Sequence, residues 1–445
     1  MLCVSLVDII YCMQGDTASL ILISPAFLAV LNFIWKVIIF LIPVFLGILA
    51  WKLWVHYVRR NNISRMKWAT LQIRVPRDVF KTPQAMEIFV TNALYQTFGT
   101  NTWVKKYWEG NVRTWFSLEI VSIEGKVYFF IRTPEFLKNL IESQIYAQYP
   151  NVEIAEVPDY TEDLAARIET EEWDMFGAEF KFNKGDVYPI KTYIDYGVDK
   201  AANLEENQKI DPMTPMLEYM GSIGAGEQVW FQILVRAATD RFKKPGTWFE
   251  KQSWMKVAEQ EIKKILEDNA AENDKGKKII DYGKLPKAEK DKIDAITRSM
   301  DKMGFDCGVR GIYMGTKASF KGGHKIGLLS SIKQYNSQNL NGFKATNVTS
   351  FDYPWQDVKD FRANKLKKEM FDAYRMRSFF YMPHNKKWIA GKMIERTPLV
   401  LNSEELATIY HFPGQVAETP TFKRIESKRA EPPQNLPTGQ AGLPM

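Results

Sequence analysis

Cysteine and histidine are scarce in this chain of 445 residues: three cysteines (Cys3, Cys12, Cys307) and four histidines (His56, His324, His384, His411). Three scattered thiols exclude a disulfide framework and fit a reducing compartment. The histidines have no metal-ligand spacing among them. Also missing are the nucleophile elbow GxSxG, the zinc-protease helix HExxH, paired CxxC motifs and an EF-hand loop. The phosphate loop is absent too. Gly311 to Lys317 comes nearest, with the wrong glycine spacing and with Thr316 before Lys317 rather than after it. Gly221, Gly224 and Gly226 do not form the dinucleotide fingerprint GxGxxG. No catalytic, cofactor-binding or metal-ligating constellation is legible, and the chain reads as non-enzymatic with no cofactor. Neither sign of charge is in large excess. A net +7 at this length makes no global case for nucleic-acid binding.

What the chain does have is a long apolar stretch near its start, from Ser19 to Tyr57. The uncharged run from Val37 to Ala50 is bracketed by Trp35 and Lys36 on one side and by Trp51, Lys52 and Trp54 on the other. Trp51 and Trp54 lie 16 and 19 residues beyond Trp35. At about 1.5 Å per helical residue this is roughly 24 to 28 Å, close to the hydrocarbon thickness of a bilayer. Tryptophan prefers the two water–lipid interfaces, and lysine reaches out of the apolar layer along its stem. The pattern predicts a transmembrane helix over residues 33–57, preceded by an apolar segment over 1–32. A cleaved signal peptide is excluded by an acidic start without a basic residue (Asp8, Asp16). A helical hairpin turning at Trp35-Lys36 is the rival arrangement. Arg59, Arg60, Arg65 and Lys67 on the C-terminal side place that part in the cytoplasm by the positive-inside rule, as a single-pass protein.

After the span the pattern predicts an α+β fold. Leu71, Ile73 and Val75 alternate with polar residues, a half-buried strand. Thr82-Pro83 opens a helix with Met86, Phe89, Val90, Ala93, Leu94 and Phe98 on one face. Two strands follow, residues 115–123 and 126–131, then a helix opened at Thr133-Pro134 and a strand over 152–157. This βαββαβ order is that of a ferredoxin-like module over 66–160. A second, decorated module is expected over 174–318. In it, strands over 178–182 and 187–194 flank an Asn183–Asp186 turn, and a charged insertion over 241–291 forms a solvated helical excursion. A helical part (319–412) and an extended, proline-rich tail (413–445) complete the chain.

Two basic-aromatic patches carry the binding candidates. Trp103, Lys105, Lys106 and Trp108 combine rings and cations suited to stacking on single-stranded nucleic acid; the bland alternative is a loop whose tryptophans cover the sheet. Lys359, Arg362, Lys365, Lys368 and Arg375 surround a short apolar stripe on one helix and suit lipid headgroups or phosphate; the alternative is an ordinary solvated face. Homo-oligomers remain open.

Several segments together resemble one family: residues 115–134, 144–160, 339–357, 399–414 and 418–437 are similar to the N-terminal, non-ATPase part of type IV secretion (conjugation) ATPases. The likeness is to the HerA/FtsK-type branch of small-genome bacterial candidate phyla and its membrane-anchored relatives. In that family a proline-rich stretch leads into the nucleotide-binding domain; here the sequence ends at Met445 before any such domain, so no catalytic lysine or acid maps onto it. The resemblance implies a non-enzymatic anchor or docking subunit for a separately encoded ATPase. The candidate docking surface is Asn402–Phe412, with Glu404, Glu405, Tyr410 and His411, and the tail. A membrane-tethered nucleic-acid-binding protein is the alternative.

Overall fold

The computed structural model describes residues 25–76, 81–97, 102–162, 164, 172–198, 211–247, 250–269, 271–272, 278–279, 282–351, 353–381 and 386–413. Most of the apolar segment 1–32, Phe98 and nearly all of the tail 413–445 lie outside them. The chain divides into two compact units, Met1–Arg65 with Thr100–Val112, and Met66–Gly99 with Arg113–Met445.

The first unit is built on one helix, α1 (Pro25–Arg65). It runs without a break through Trp35-Lys36, where the hairpin alternative would turn. Pro43 lies inside it, and the flanking apolar residues stay helical. Among the described residues this is the one helix long and apolar enough to cross a membrane.

The second unit is mixed α+β, with a continuous antiparallel sheet at its centre. Its strands are β1 (Trp68–Arg74), β2 (Phe116–Ile123), β3 (Lys126–Pro134), β4 (Glu153–Glu156), β5 (Trp173–Phe182), β6 (Glu227–Ala237), β7 (Gly304–Thr316), β8 (Phe343–Thr346) and β9 (Leu399–Asn402). The spatial order is β8-β5-β7-β6-β2-β3-β1-β4, with β9 pairing beside one end of β7. Within β1–β4 the order is fourth, first, third, second; β5, β6, β7 and β8 repeat it. The halves meet where β2 pairs antiparallel with β6.

Three expectations change here. Residues 187–194 are not a strand. Pro189 offers no N–H, and side chains take over the neighbouring backbone groups. Ile190 N donates to Glu405, Tyr193 N donates to the Thr408 hydroxyl, and the carbonyls of Gly185 and Tyr188 accept from the Asn341 amide. The part from 319 to 412, expected to be helical, supplies two sheet strands (β8, β9) and a hairpin of Lys386–Ile389 with Lys392–Glu395. The charged insertion is also more than a solvated excursion. Its helix Trp254–Asp268 buries Ala258 and Ile265 against Ile293 and Ile296 of the helix Lys287–Met300.

Register explains how the sheet is filled. One row across six strands is Leu71, Ile131, Leu118, Ile233, Val309 and Phe180, all buried in the main core. Helices α2 (Pro83–Phe89, continued as a wider turn to Leu94) and α4 (Lys138–Gln148) contribute Met86, Phe89, Ile141 and Ile145 to the same core. Between them in the chain lies the short α3 (Trp103–Tyr107) of the first unit. Side chains alternate across a strand, so the next row points to the other face: Phe130, Glu119, Gln232, Arg310 and Glu179. Helix α9 (Phe361–Arg375) covers that face with Met370, Phe371 and Tyr374. (In chain order α5–α8 are Thr214–Gly221, Trp254–Asp268, Lys287–Met300 and Gly322–Ser330.) Gly177 permits this approach, since a Cβ there would stand 2.8 Å from Met370 Cγ.

Candidate membrane interface

Every side chain of α1 from Phe33 to Trp54 is exposed, the anchor candidates Trp35, Lys36, Trp51, Lys52 and Trp54 among them. Arg60 is exposed and Arg59 half-buried. A soluble helix hides an apolar stripe against a core; this one presents Phe40, at 83% exposure, and its neighbours on all sides. An exposed apolar surface of this extent marks a protein–protein or membrane interaction site.

At the C-terminal end of that stretch, residues 102–111 fold back along α1. Within α3, Trp103 stacks on Trp51 with ring centroids 6.1 Å apart, and Tyr107 lies 5.7 Å from the same ring. Trp108 sits 5.8 Å from Trp54, whose Nε1 donates to the Tyr107 carbonyl at 3.2 Å. Further along, Gly110 meets the backbone at Val58, and the Asn62 amide donates to the Glu109 carbonyl and to the Asn111 side chain. The nucleic-acid candidates Trp103 and Trp108 therefore have their rings engaged with α1, while Lys105 and Lys106 are exposed. The contact was not legible because its two halves lie about fifty residues apart in the chain.

The other candidates separate cleanly. Lys359, Arg362, Lys365, Lys368 and Arg375 are all exposed on or beside α9. The docking candidates are not at the surface. Glu404, Glu405, Tyr410 and His411 are each 3% exposed or less, so a partner has nothing of them to touch. The reason is local. Helix α10 (Ser403–Ile409) opens with a capping box between Asn402 and Glu405. Glu404 accepts from the Thr192 hydroxyl, His411 meets Asp211, and Leu406, Ile409 and Phe412 enter the main core. Burial pushes the Glu405 carboxyl up to about 8, against two backbone N–H donors that favour its charged form.

The sequence reading missed the charged row under α9 altogether. Arg377 donates from Nε and Nη2 to the two oxygens of Glu119, which also accepts from Ser117, Tyr160 and Gln232. Asp159 pairs with both Arg377 and Arg132. At the other end Glu179 accepts from Arg396 and Asn347. Between them lies Arg310, fully buried; its Nη2 donates to the Ser378 carbonyl, and burial brings its guanidinium down to about 10. Burial opposes ionisation of Glu119 and Glu179, but the arginines facing them outweigh it and hold both low. A single charged residue inside an apolar strand run (Glu119 in FSLEIVSI) was the available signal, since both faces of such a run are buried.

Among the described residues no group of three His, Cys, Asp or Glu side chains is placed to hold a metal ion. Residues 61–424 match the family described as Domain of unknown function (DUF8128), and the chain belongs to that family. No curated protein matches the chain.

Proposed function

We propose that this DUF8128 protein is a single-pass membrane anchor whose α+β body serves as a docking subunit, with α1 as the span and the body on the cytoplasmic side of a bacterial inner membrane. One observation carries the reading: the unbroken exposure of an apolar helix from Phe33 to Trp54, interrupted only by Lys36 and Lys52. Lys52, Arg59, Arg60 and Arg65 at its C-terminal end support the orientation. The repeated strand order supports two ferredoxin-like modules fused edge to edge through β2 and β6.

The partner in this proposal is a separately encoded secretion or DNA-translocation ATPase, and its support is the resemblance of the quoted segments alone. Tethering would raise the motor's effective concentration at the membrane. With Asn402–Phe412 buried, docking falls to other surfaces, among them the basic side of α9, where Lys359, Arg362, Lys365, Lys368 and Arg375 are exposed. Alkaline carbonate washing of membranes tests the anchor; release of the full chain into the wash would remove it. Cross-linking of the full chain in membranes from its native host, followed by identification of captured proteins, tests the partner. Repeated recovery without any ATPase would end that part of the proposal.

A further inference from the structure

We infer that residues 102–111 are a second membrane-seated element, a wedge at headgroup level that docks on α1 and meets anionic lipid through Lys105 and Lys106. This rests on the reading of α1 as a span.

Three features of the first unit point there. Trp103, Val104 and Trp108 are each more than half exposed on one short segment, although tryptophan and valine on a five-residue helix have strong reason to be covered. They stand level with Trp51 and Trp54, where the uncharged part of α1 ends and where a bilayer interface belongs. From that level the segment changes character in step with the helix. Rings lie beside Trp51 and Trp54, a glycine contact follows at Val58, and the Glu109 backbone carbonyl and the Asn111 side-chain amide oxygen accept from Asn62. Trp51 to Asn62 is roughly 16 Å of helix at 1.5 Å per residue, about half the thickness of a hydrocarbon core, so the segment runs from the interface outward rather than across the bilayer.

Backbone pairing gives independent support. A segment that satisfies its own N–H and C=O groups can leave bulk water for the lipid boundary at low cost. Here Lys106 N donates to the Thr102 carbonyl, Trp108 N and Glu109 N to that of Val104, and Asn111 N to that of Lys105, while the Tyr107 carbonyl accepts from Trp54. Lys105 and Lys106 are exposed, and the Lys106 ammonium lies 5.2 Å from the Tyr107 ring centroid. Their stems can run along the rings while the ammonium groups reach lipid phosphate.

The test uses the full chain with Cys3→Ser and Cys12→Ser, leaving the buried Cys307. An environment-sensitive fluorophore is attached through Val104→Cys or, as a control inside α1, through Leu46→Cys. Each protein is reconstituted into phosphatidylcholine vesicles with or without phosphatidylglycerol. The expected result is blue-shifted emission at position 104, quenched by brominated lipid and protected from iodide, more so with phosphatidylglycerol. Lys105→Glu with Lys106→Glu should shift the seated-to-unseated ratio by at least fivefold per lysine, roughly, in the anionic vesicles only. Water-like emission and full iodide quenching at 104, with position 46 still quenched by brominated lipid, overturn the wedge but leave the span. Water-like behaviour at both positions overturns the span itself. Protection at 104 that arises only on adding single-stranded DNA overturns the wedge in favour of nucleic-acid binding.

Discussion

Arg377 closes on Glu119 with two parallel hydrogen bonds, 2.9 Å from Nε and 3.1 Å from Nη2, beneath the end of α9 and out of reach of water. The arginine follows the helix in a left-handed conformation (φ 49°), which turns its side chain toward the sheet. Removing one member of a buried pair leaves the other charged and unpaired, which costs about 3–5 kcal/mol. Arg377→Ala should lower the denaturation midpoint accordingly. Arg377→Lys should restore little, because one ammonium cannot bridge both carboxylate oxygens. Arg375→Ala is the control: that side chain is exposed and only loosely paired with Asp372, so its effect should stay within about 0.5 kcal/mol.

Acid should loosen the same cluster at its rim. Burial by itself raises the Asp159 carboxyl, but Arg377, Arg132 and the Thr161 N–H outweigh it and bring it from 3.8 to about 2. A carboxyl depressed by folding contributes stability above its unfolded value and loses it as pH falls through its folded one. The contribution is on the order of 2 kcal/mol and should vanish between about pH 4 and pH 2. Asp159→Asn should flatten that limb of the stability curve. If the limb keeps its slope in the variant, other carboxylates are responsible.

Much of the first half of the sheet was legible because its signals are local. Leu71 and Ile73 alternate within one strand, and Thr82-Pro83 opens a helix within one turn. The second half was read less well where distant side chains decide the conformation. Val187–Ile194 imitates an alternating strand, yet Glu405 and Thr408, over two hundred residues away, hold its backbone. The same distance hid the burial of Glu404 and Glu405. An acidic pair at a helix start looks solvated unless the segment opposite it is known. Trp103 and Trp108 were legible as a basic-aromatic patch, but nothing near them in the chain announces Trp51.

Glu405 should give the opposite pH dependence to Asp159. Its folded value, about 8, lies above the usual carboxylate range. As pH rises from about 4.5 to 8 the unfolded chain sheds this proton while the folded one keeps it, so stability declines over that window. Glu405→Gln should abolish the decline. It should also lower stability near pH 5, because an amide offers one acceptor where the Asn402 and Ile190 N–H groups each meet a carboxyl oxygen at 2.8 Å. A wild-type profile rising steadily from pH 5 to 8 would contradict the assignment.

Gly110 offers the sharpest test of the fold-back onto α1. Its φ of +71° is a conformation that L side chains resist, and an added Cβ would stand 2.4 Å from the Val58 carbonyl oxygen. Both penalties fall on backbone atoms, so no flexible side chain can yield to relieve them. Gly110→Ala should therefore cost the contact about 1–3 kcal/mol or more, the scale of one strained residue. The segment would lift from the helix rather than the helix bend, since α1 has its own continuous hydrogen bonding. Amide exchange should quicken at Tyr107–Asn111, and the near-ultraviolet circular dichroism of the stacked tryptophans should weaken. Asn62→Ala removes two side-chain bonds to the same segment without backbone strain, and should produce a smaller change of the same kind. Unchanged exchange in both variants would mean that ring stacking at Trp51 and Trp54 alone holds the segment in place.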